Sequence, residues 1–152
     1  MIVDASVLLC AFFPDEAQPQ AQKLVREHVA GRVRLKAPAL LVYELSNAVW
    51  QAERRKRITA AQADEILQVF AGLEIEIIPP AFPLRETSVG ALLPLARQFD
   101  CSAYEAVYLA LAETSKEQFI TADERRYHAV RGQLDWVIWI KDYAGDDRTI
   151  AF

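Results

Sequence analysis

Four acidic residues lie where side chains of an α/β protein often do chemistry. They are Asp4, Glu44, Glu105 and Asp123. Two of them directly follow short apolar segments that are typical of buried strands, and the other two lie in mainly apolar helical segments. In an open α/β sheet the functional crevice lies beyond the carboxyl ends of the strands. The positions therefore predict that the four carboxylates converge there.

A carboxylate cluster of this kind predicts a bound cation. Two carboxylates about 4 Å apart repel each other by about 4 kcal/mol at an effective dielectric constant of 20. Oxygen ligands favour a hard ion, Mg²⁺ or Mn²⁺, which generates a hydroxide nucleophile and neutralises a phosphoryl transition state. The two cysteines and two histidines have no zinc-binding spacing. Repulsion also predicts that Asp4→Asn or Asp123→Asn stabilises the metal-free fold.

Each acid also has an ordinary structural explanation. Asp4 and Asp123 are each suited to cap the following helix. Ser102 and Glu105 have the spacing of a capping box, in which the glutamate bonds back to the serine amide. Glu44 could pair with an arginine, or lie at a less buried angle of its helix. Local capping and a shared site therefore both remain open for these residues.

One basic run is present, and it also has two interpretations. Its members are Arg54, Arg55, Lys56 and Arg57. The run could contact the phosphates of a nucleic acid. It could equally be a solvated helix end, where cations complement the helix dipole.

Composition favours one globular domain that spans residues 1–152. The chain is 53% hydrophobic and 25% charged, and its net charge is −4. This balance is typical of a folded protein and unlike that of a general nucleic-acid coat protein. No apolar run is long enough to span a bilayer. The N-terminus lacks the basic region of a signal peptide, so we expect a cytoplasmic protein.

The order of elements predicts an α/β fold. Hydrophobic spacing and turn residues give the order β, α, β, α, α, β, α, α, β, α, β, which is typical of a parallel sheet with helices on both faces. We expect Pro38 to open the second helix. That helix is apolar almost all round, so we expect it to be buried. Pro94 should lie in the first turn of a helix that begins near residue 91, or kink it. We expect both histidines at the surface.

Four segments together resemble the successive motifs of PIN-domain ribonucleases, and most closely those of VapC-type toxins. The segments are Met1-Ile2-Val3-Asp4-Ala5-Ser6-Val7-Leu8, Tyr43-Glu44-Leu45-Ser46-Asn47, the helix from Ser102 to Ala112, and Phe119-Ile120-Thr121-Ala122-Asp123. They occur in order and cover nearly the whole chain.

The resemblance implies a three-layer α/β/α fold with a five-stranded parallel sheet and a metal-dependent endoribonuclease activity. Asp4, Glu44 and Asp123 match the acidic metal ligands of the family. Three smaller residues match the polar neighbours of these ligands: Ser6, Asn47 and Thr121. Where the family usually has aspartate, this chain has Glu105, which we include among the metal ligands. The ion implied is Mg²⁺ or Mn²⁺.

The same resemblance implies partners. An RNA substrate, a small antitoxin protein that blocks the site, and a second copy of the chain in a homodimer are expected, and no membrane. The departure at Glu105 leaves an alternative, a PIN-like module with impaired catalysis that binds RNA or protein.

Two other classes of α/β protein fit the sequence less well. A phosphotransfer receiver domain needs paired acids near the first strand and a lysine after a late strand, whereas Asp4 stands alone and Thr121 is followed by alanine. A haloacid-dehalogenase-type phosphatase needs a second acid at the position of Ser6.

Overall fold

The fold is an α/β sandwich around one parallel sheet. The computed structural model describes residues 1–79 and 86–145. Its strands are β1 (Ile2–Val3), β2 (Lys36–Pro38), β3 (Glu76–Ile78), β4 (Phe119–Thr121) and β5 (Val137–Trp139). They pair in the order β3-β2-β1-β4-β5, and every pairing is parallel. The predicted five-stranded parallel sheet is confirmed, with β1 at its centre.

Seven α-helices connect or follow these strands in the described part of the chain. They are α1 (Ala5–Phe12), α2 (Pro19–Val29), α3 (Leu40–Arg54), α4 (Ala60–Gly72), α5 (Glu86–Gln98), α6 (Ala103–Ser115) and α7 (Glu124–Val130). A short 3-10 helix, Ile140–Asp142, follows β5. None of the described helices is both long and apolar enough to cross a bilayer.

Alternate strand residues divide the core between the two faces of the sheet. Val3 and Ile120 belong to one buried cluster, which contains residues of α1, α2, α3 and α4. Ile2 and Phe119 belong to the other cluster, which contains residues of α6 and α7. Because successive strand residues point to opposite faces, β1 and β4 each contribute to both clusters. The three layers predicted from the resemblance are therefore present.

Several predicted boundaries are wrong for identifiable reasons. The apolar segment after Asp4 is itself a helix, α1, so two helices separate β1 from β2. Pro38 is the last residue of β2, and α3 begins at Leu40. Pro94 lies in the interior of α5, which begins at Glu86, so the first-turn alternative is wrong and a kink at Pro94 stays a prediction. Proline is found at the end of a strand as well as in the first turn of a helix. The position of Pro38 in the sequence therefore could not decide between these two placements.

Two predictions of burial are also wrong. Helix α3 is not buried all round, because Tyr43 and Trp50 are exposed on it. His28 is partly buried, and its ring nitrogens lie 3.1 Å from the Val33 carbonyl oxygen and 2.8 Å from that of Leu73. It thereby links α2 to the end of α4. His128 is exposed, as expected.

Candidate functional site

The centre of the site is the junction between β1 and β4. Val3 pairs with Ile120, so Asp4 and Thr121 lie beside each other at the carboxyl ends of the two strands. The Thr121 hydroxyl donates to Asp4 Oδ2 at 2.6 Å, and the Ser6 hydroxyl donates to Asp4 Oδ1. The Ser6 oxygen also accepts from the Ala122 amide at 2.9 Å. The structure therefore brings Asp4, Ser6 and Thr121 together.

Asp4 both caps a helix and belongs to the cluster. It is the N-cap of α1, and its Oδ1 accepts from the Val7 amide at 3.2 Å. Only 1% of its surface is exposed. Burial raises the pKa of the Asp4 carboxyl, while the Arg126 charge and the Ser6 and Thr121 hydroxyls act in the opposite direction.

A cation that sequence reasoning missed lies among the acids. Arg126 Nη1 is 2.5 Å from Asp4 Oδ2, and its Nη2 is 3.4 Å from Glu105 Oε1. The side chain is 8% exposed. Desolvation lowers the pKa of the guanidinium, but Asp4, Glu105, Asp123 and Glu44 together raise it overall. All four predicted acids therefore act electrostatically on one arginine.

The sequence did contain a signal for this arginine. Arg126 lies in the first turn of α7, three residues after the cap Asp123. A cation at a helix N-terminus opposes the helix dipole and needs a compensating anion. Two arginines lie in that turn, and Arg125 is exposed whereas Arg126 is buried. The pattern could have indicated a buried acid near α7, although it could not identify which acid.

Glu105 takes part in a capping box and in the cluster at once. Its Oε2 accepts from the Ser102 amide at 2.6 Å, and its own amide donates to the Ser102 hydroxyl at 3.2 Å. The other carboxylate oxygen, Oε1, faces Arg126. Burial acts to raise the pKa of Glu105, but the hydrogen bonds from Ser102 and the Arg126 charge lower it overall. The predicted capping box is therefore present, and Glu105 also faces Arg126, while its role as a metal ligand stays a prediction.

Glu44 bonds a tyrosine and not an arginine. The hydroxyl of Tyr108 on α6 donates to Glu44 Oε2 at 2.5 Å. Burial raises the pKa of Glu44, as do the charges of Asp4 and Glu105 to a smaller extent. Tyr108 is fully buried and stacks on Phe119 of β4, with ring centroids 5.8 Å apart. The buried Tyr108 hydroxyl on α6 thus positions the Glu44 carboxylate.

Asp123 and Asn47 lie next to other residues of the site, Asp123 beside Thr121 and Arg126, and Asn47 beside Glu44. Asp123 caps α7, and its Oδ1 accepts from the Arg126 amide at 3.0 Å. Its own amide donates to the Thr121 hydroxyl at 3.1 Å. Asn47 is exposed one turn beyond Glu44 and lines a pocket with Glu44 and Glu105.

That pocket is the opening of the cluster to solvent. Its volume is about 430 Å³, and Arg126 forms part of its wall. Two exposed tyrosines, Tyr43 and Tyr104, line it as well. Each immediately precedes an acid of the cluster, Glu44 or Glu105. Because Arg126 also contacts Asp4, the guanidinium separates the pocket from that buried carboxylate.

The basic run does not join this group. Arg54 is ten residues beyond Glu44, which is about 15 Å along a helix. The guanidinium of Arg57 pairs with Asp15 and Glu16, at 2.6 Å in each case. Arg54 lies over the Trp50 ring, 5.9 Å from its centroid. Arg55 and Lys56 are exposed.

The donor chemistry of the four acids fits a hard divalent ion, because carboxylate oxygens are the ligands that such ions prefer. Within residues 1–79 and 86–145, no three carboxylate, imidazole or thiol groups are arranged, as they stand, to hold a metal ion. Arg126 lies among the acids instead. The residues therefore suit the ion chemically, and binding needs movement of side chains.

Comparisons with known proteins agree with the fold and the motifs. A family model described as PIN domain matches residues 1–132. Ribonuclease VapC3 of Pyrobaculum aerophilum is 26% identical over 133 residues, which cover 82% of this chain and 90% of that protein. The crystal structure of PAE2754 from Pyrobaculum aerophilum matches with a TM-score of 0.66 at 22% identity. That match covers 92% of this chain and 83% of the other, and it supports the fold.

Proposed function

We propose, from the premise that the chain belongs to the PIN-domain family, that it is an endoribonuclease that depends on Mg²⁺ or Mn²⁺. The observation that carries the proposal is the arrangement at the carboxyl end of the sheet, where Arg126 contacts Asp4 and Glu105 and lines one pocket with Glu44 and Glu105. The relative named Ribonuclease VapC3 supports RNA as the substrate.

Each side chain has a proposed role. Asp4, Glu44, Glu105 and Asp123 would hold the ion, and Ser6 and Thr121 orient the Asp4 carboxylate through the hydrogen bonds described above. Asn47 lies where it can contact the substrate at the pocket. Arg54, Arg55, Lys56 and Arg57 are remote from the acids, so any contact they make is with a distant part of the RNA backbone.

The chemistry predicts a particular product. A divalent ion held by Asp4, Glu44, Glu105 and Asp123 would supply a water of lowered pKa and would neutralise charge on the phosphate. Water is then the nucleophile, and the 2′-hydroxyl of the RNA takes no part. Cleavage should leave a 5′-phosphate, and a 2′,3′-cyclic phosphate would contradict the mechanism.

The family resemblance also supports proposals about the biological setting. We propose that the chain is the toxin of a toxin–antitoxin pair, works as a homodimer in the cytoplasm and is blocked by an antitoxin. The name of the VapC3 relative supports the toxin class. A short reading frame next to the gene, whose product co-purifies with this chain and stops cleavage, is the expected result.

Cleavage of RNA with Mg²⁺, with Mn²⁺ and with EDTA tests the activity. We expect cleavage with either ion and none with EDTA. Glu44→Gln and Asp123→Asn should abolish cleavage while the protein stays folded, since the Glu44 carboxylate bonds Tyr108, the Asp123 carboxylate bonds the Arg126 backbone amide, and the ion pairs of the guanidinium are with Asp4 and Glu105. Cleavage that survives chelation, or that survives both substitutions, would remove the acids from the mechanism.

The alternative function is a PIN-like module with impaired catalysis. One observation favours it, because Arg126 already neutralises Asp4 and Glu105. Under this alternative the native protein binds neither ion and does not cleave RNA, but it still binds RNA or a protein. Calorimetric titration with Mn²⁺ separates the two functions before any substrate is known.

A further inference from the structure

We propose that the Arg126 guanidinium is a resident cation that must leave Asp4 and Glu105 before a divalent ion can bind. The inference rests on the proposed function, because it concerns the ion that the function requires. It makes Arg126 a positioning residue of the apo site and a direct competitor of the metal.

The hydrogen bonds of Asp4 carry the first step. A carboxylate has two oxygens with about four lone-pair sites in all. Oδ1 accepts from the Ser6 hydroxyl and the Val7 amide, and Oδ2 accepts from the Thr121 hydroxyl and from Arg126. These four donors fill the acceptor capacity of Asp4. A metal ion can coordinate the carboxylate only if one of the donors leaves.

Arg126 is the donor best suited to leave. The Val7 amide is fixed within α1, whereas the arginine side chain is long and has several rotatable bonds. Arg126 is also the one charged donor among the four that bond Asp4. An incoming divalent ion therefore repels it and leaves the three neutral donors in place. The same movement frees Glu105 Oε1, because one guanidinium contacts both acids.

Two further features provide for this movement. Arg126 is one of the residues that line the pocket, so open volume lies beside its side chain. Its Nε is buried without a hydrogen-bond partner among the described residues. A buried donor without an acceptor is unfavourable, and departure toward the pocket would expose it to water.

Calorimetric titration of Mn²⁺ into RNA-free protein tests the exchange. Arg126→Met should bind Mn²⁺ at least tenfold more tightly than the native chain, because the competing cation is gone. Arg125→Met is the matched control, since it removes the same charge from an exposed neighbour and should change the affinity less than twofold. Equal Mn²⁺ affinities of the native chain and Arg126→Met would overturn the inference.

A measurement on the native protein covers the case in which Arg126→Met does not fold. The Arg126 Nε–H signal in a ¹⁵N spectrum should shift with Mg²⁺ along the same saturation curve as the calorimetric titration with Mg²⁺. A signal that stays fixed while Mg²⁺ binds would overturn the exchange and leave the proposed function intact. If neither protein binds an ion, both the exchange and the metal dependence are wrong.

A different observation supports a second site. We infer that Tyr43 and Tyr104 stack on unpaired bases of the RNA at the mouth of the pocket, which deepens the proposed function by assigning these two side chains to base contact. The two side chains are 72% and 69% exposed, although tyrosine is large and largely apolar. Both line the pocket that contains Glu44 and Glu105.

Helix geometry and charge both favour this role. Neighbouring residues of a helix point about 100° apart, so a tyrosine that precedes an inward acid flanks the opening. The chain carries a net charge of −4, and Arg57 is neutralised by Asp15 and Glu16. General attraction to phosphates is therefore weak. Stacking on aromatic rings is independent of charge and tolerates every base.

Binding of a fluorescent 12-nucleotide RNA without self-complementarity, measured in EDTA, tests the second inference. Tyr43→Ala and Tyr104→Ala should each weaken binding by roughly fivefold or more, whereas the Phe variants keep the ring and should bind normally. Trp50→Ala is the control, because Trp50 is exposed on α3 two turns beyond Tyr43. The duplex form of the RNA should bind less tightly.

The outcomes separate this inference from the proposed function. Unchanged RNA affinity in both alanine variants of a protein that cleaves RNA would overturn the stacking role alone, and would assign the tyrosines to a protein partner. A native protein that neither binds nor cleaves RNA would overturn the proposed function as well.

Discussion

Replacement of Asp4 by asparagine should destabilise the metal-free protein. Simple repulsion among four acids predicts the opposite result, since one negative charge is removed. In the structure, however, Asp4 is buried and its Oδ2 is ion-paired with Arg126. The substitution leaves a buried guanidinium whose remaining ion-pair partner is Glu105, at 3.4 Å.

The contacts allow the size of this effect to be worked out. Removal of one partner from a buried ion pair costs about 3–5 kcal/mol. Glu105 still neutralises part of the Arg126 charge, and less repulsion then acts on Glu44, so the lower end of that range applies. For a domain of this size, about 3 kcal/mol corresponds to a fall in Tm of roughly 6–12 °C.

Urea denaturation at neutral pH in EDTA, followed by circular dichroism, measures the change in the free energy of unfolding. Asp123→Asn is the matched control, because asparagine caps a helix as well as aspartate does and should change stability by less than about 0.5 kcal/mol. The double variant Asp4→Asn with Arg126→Met should lose less stability than the sum of the single variants. An Asp4→Asn protein that is as stable as the native chain would refute the buried pair.

Three further predictions concern individual side chains. Glu105→Gln keeps the capping box but weakens the contact with Arg126, so it should cost about 0.5–1 kcal/mol in urea melts, and Glu105→Ala should cost more because the cap is lost as well. Tyr108→Phe removes the hydroxyl bonded to Glu44 and should cost about 1.5–3 kcal/mol, again measured by urea denaturation. Burial acts to raise the pKa of Glu117, but its bonds to Lys36 and to the N-terminal amine lower it overall from 4.5. The Glu117 ion pairs therefore stabilise the fold above about pH 4.5, and this contribution is lost as the pH falls through the lower folded-state pKa. Glu117→Gln should cost about 1 kcal/mol at pH 7 and little at pH 2.

For each of these three predictions, one result of the measurement would contradict it. Equal stabilities of the Gln and Ala variants at Glu105 would show that the cap contributes nothing. A Tyr108→Phe protein as stable as the native chain would show that the Glu44 bond is not stabilising. A loss at Glu117 that is the same at pH 2 and pH 7 would place its cause outside the ion pairs.

The fold was largely predictable because its determinants are local. Alternation of strand and helix patterns is enough to indicate a parallel sheet with helices on both faces, and the comparisons and the structure confirm it. The caps at Asp4, Ser102 and Asp123 were equally visible. A capping bond joins residues three apart, so the sequence contains both partners within one turn.

The exposed face of α3 was not predictable in the same way. Its apolar residues lie all around the helix, and an apolar helix is normally buried on every side. Only the positions of neighbouring helices decide which of those residues are covered. In the structure Leu41, Leu45 and Val49 pack inward, whereas Tyr43 and Trp50 remain exposed.

For the candidate site, the sequence by itself determined which acids follow strands or begin helices, and therefore which of them can meet. Tertiary structure decided what each acid binds. Arg126 reaches Asp4 across 122 positions of the chain, and Tyr108 reaches Glu44 across 64. Such pairs depend on the order of strands in the sheet and on how α3, α6 and α7 pack at its edge. Residue type predicted that the cluster needs a cation, and only the packing showed that the chain supplies one of its own.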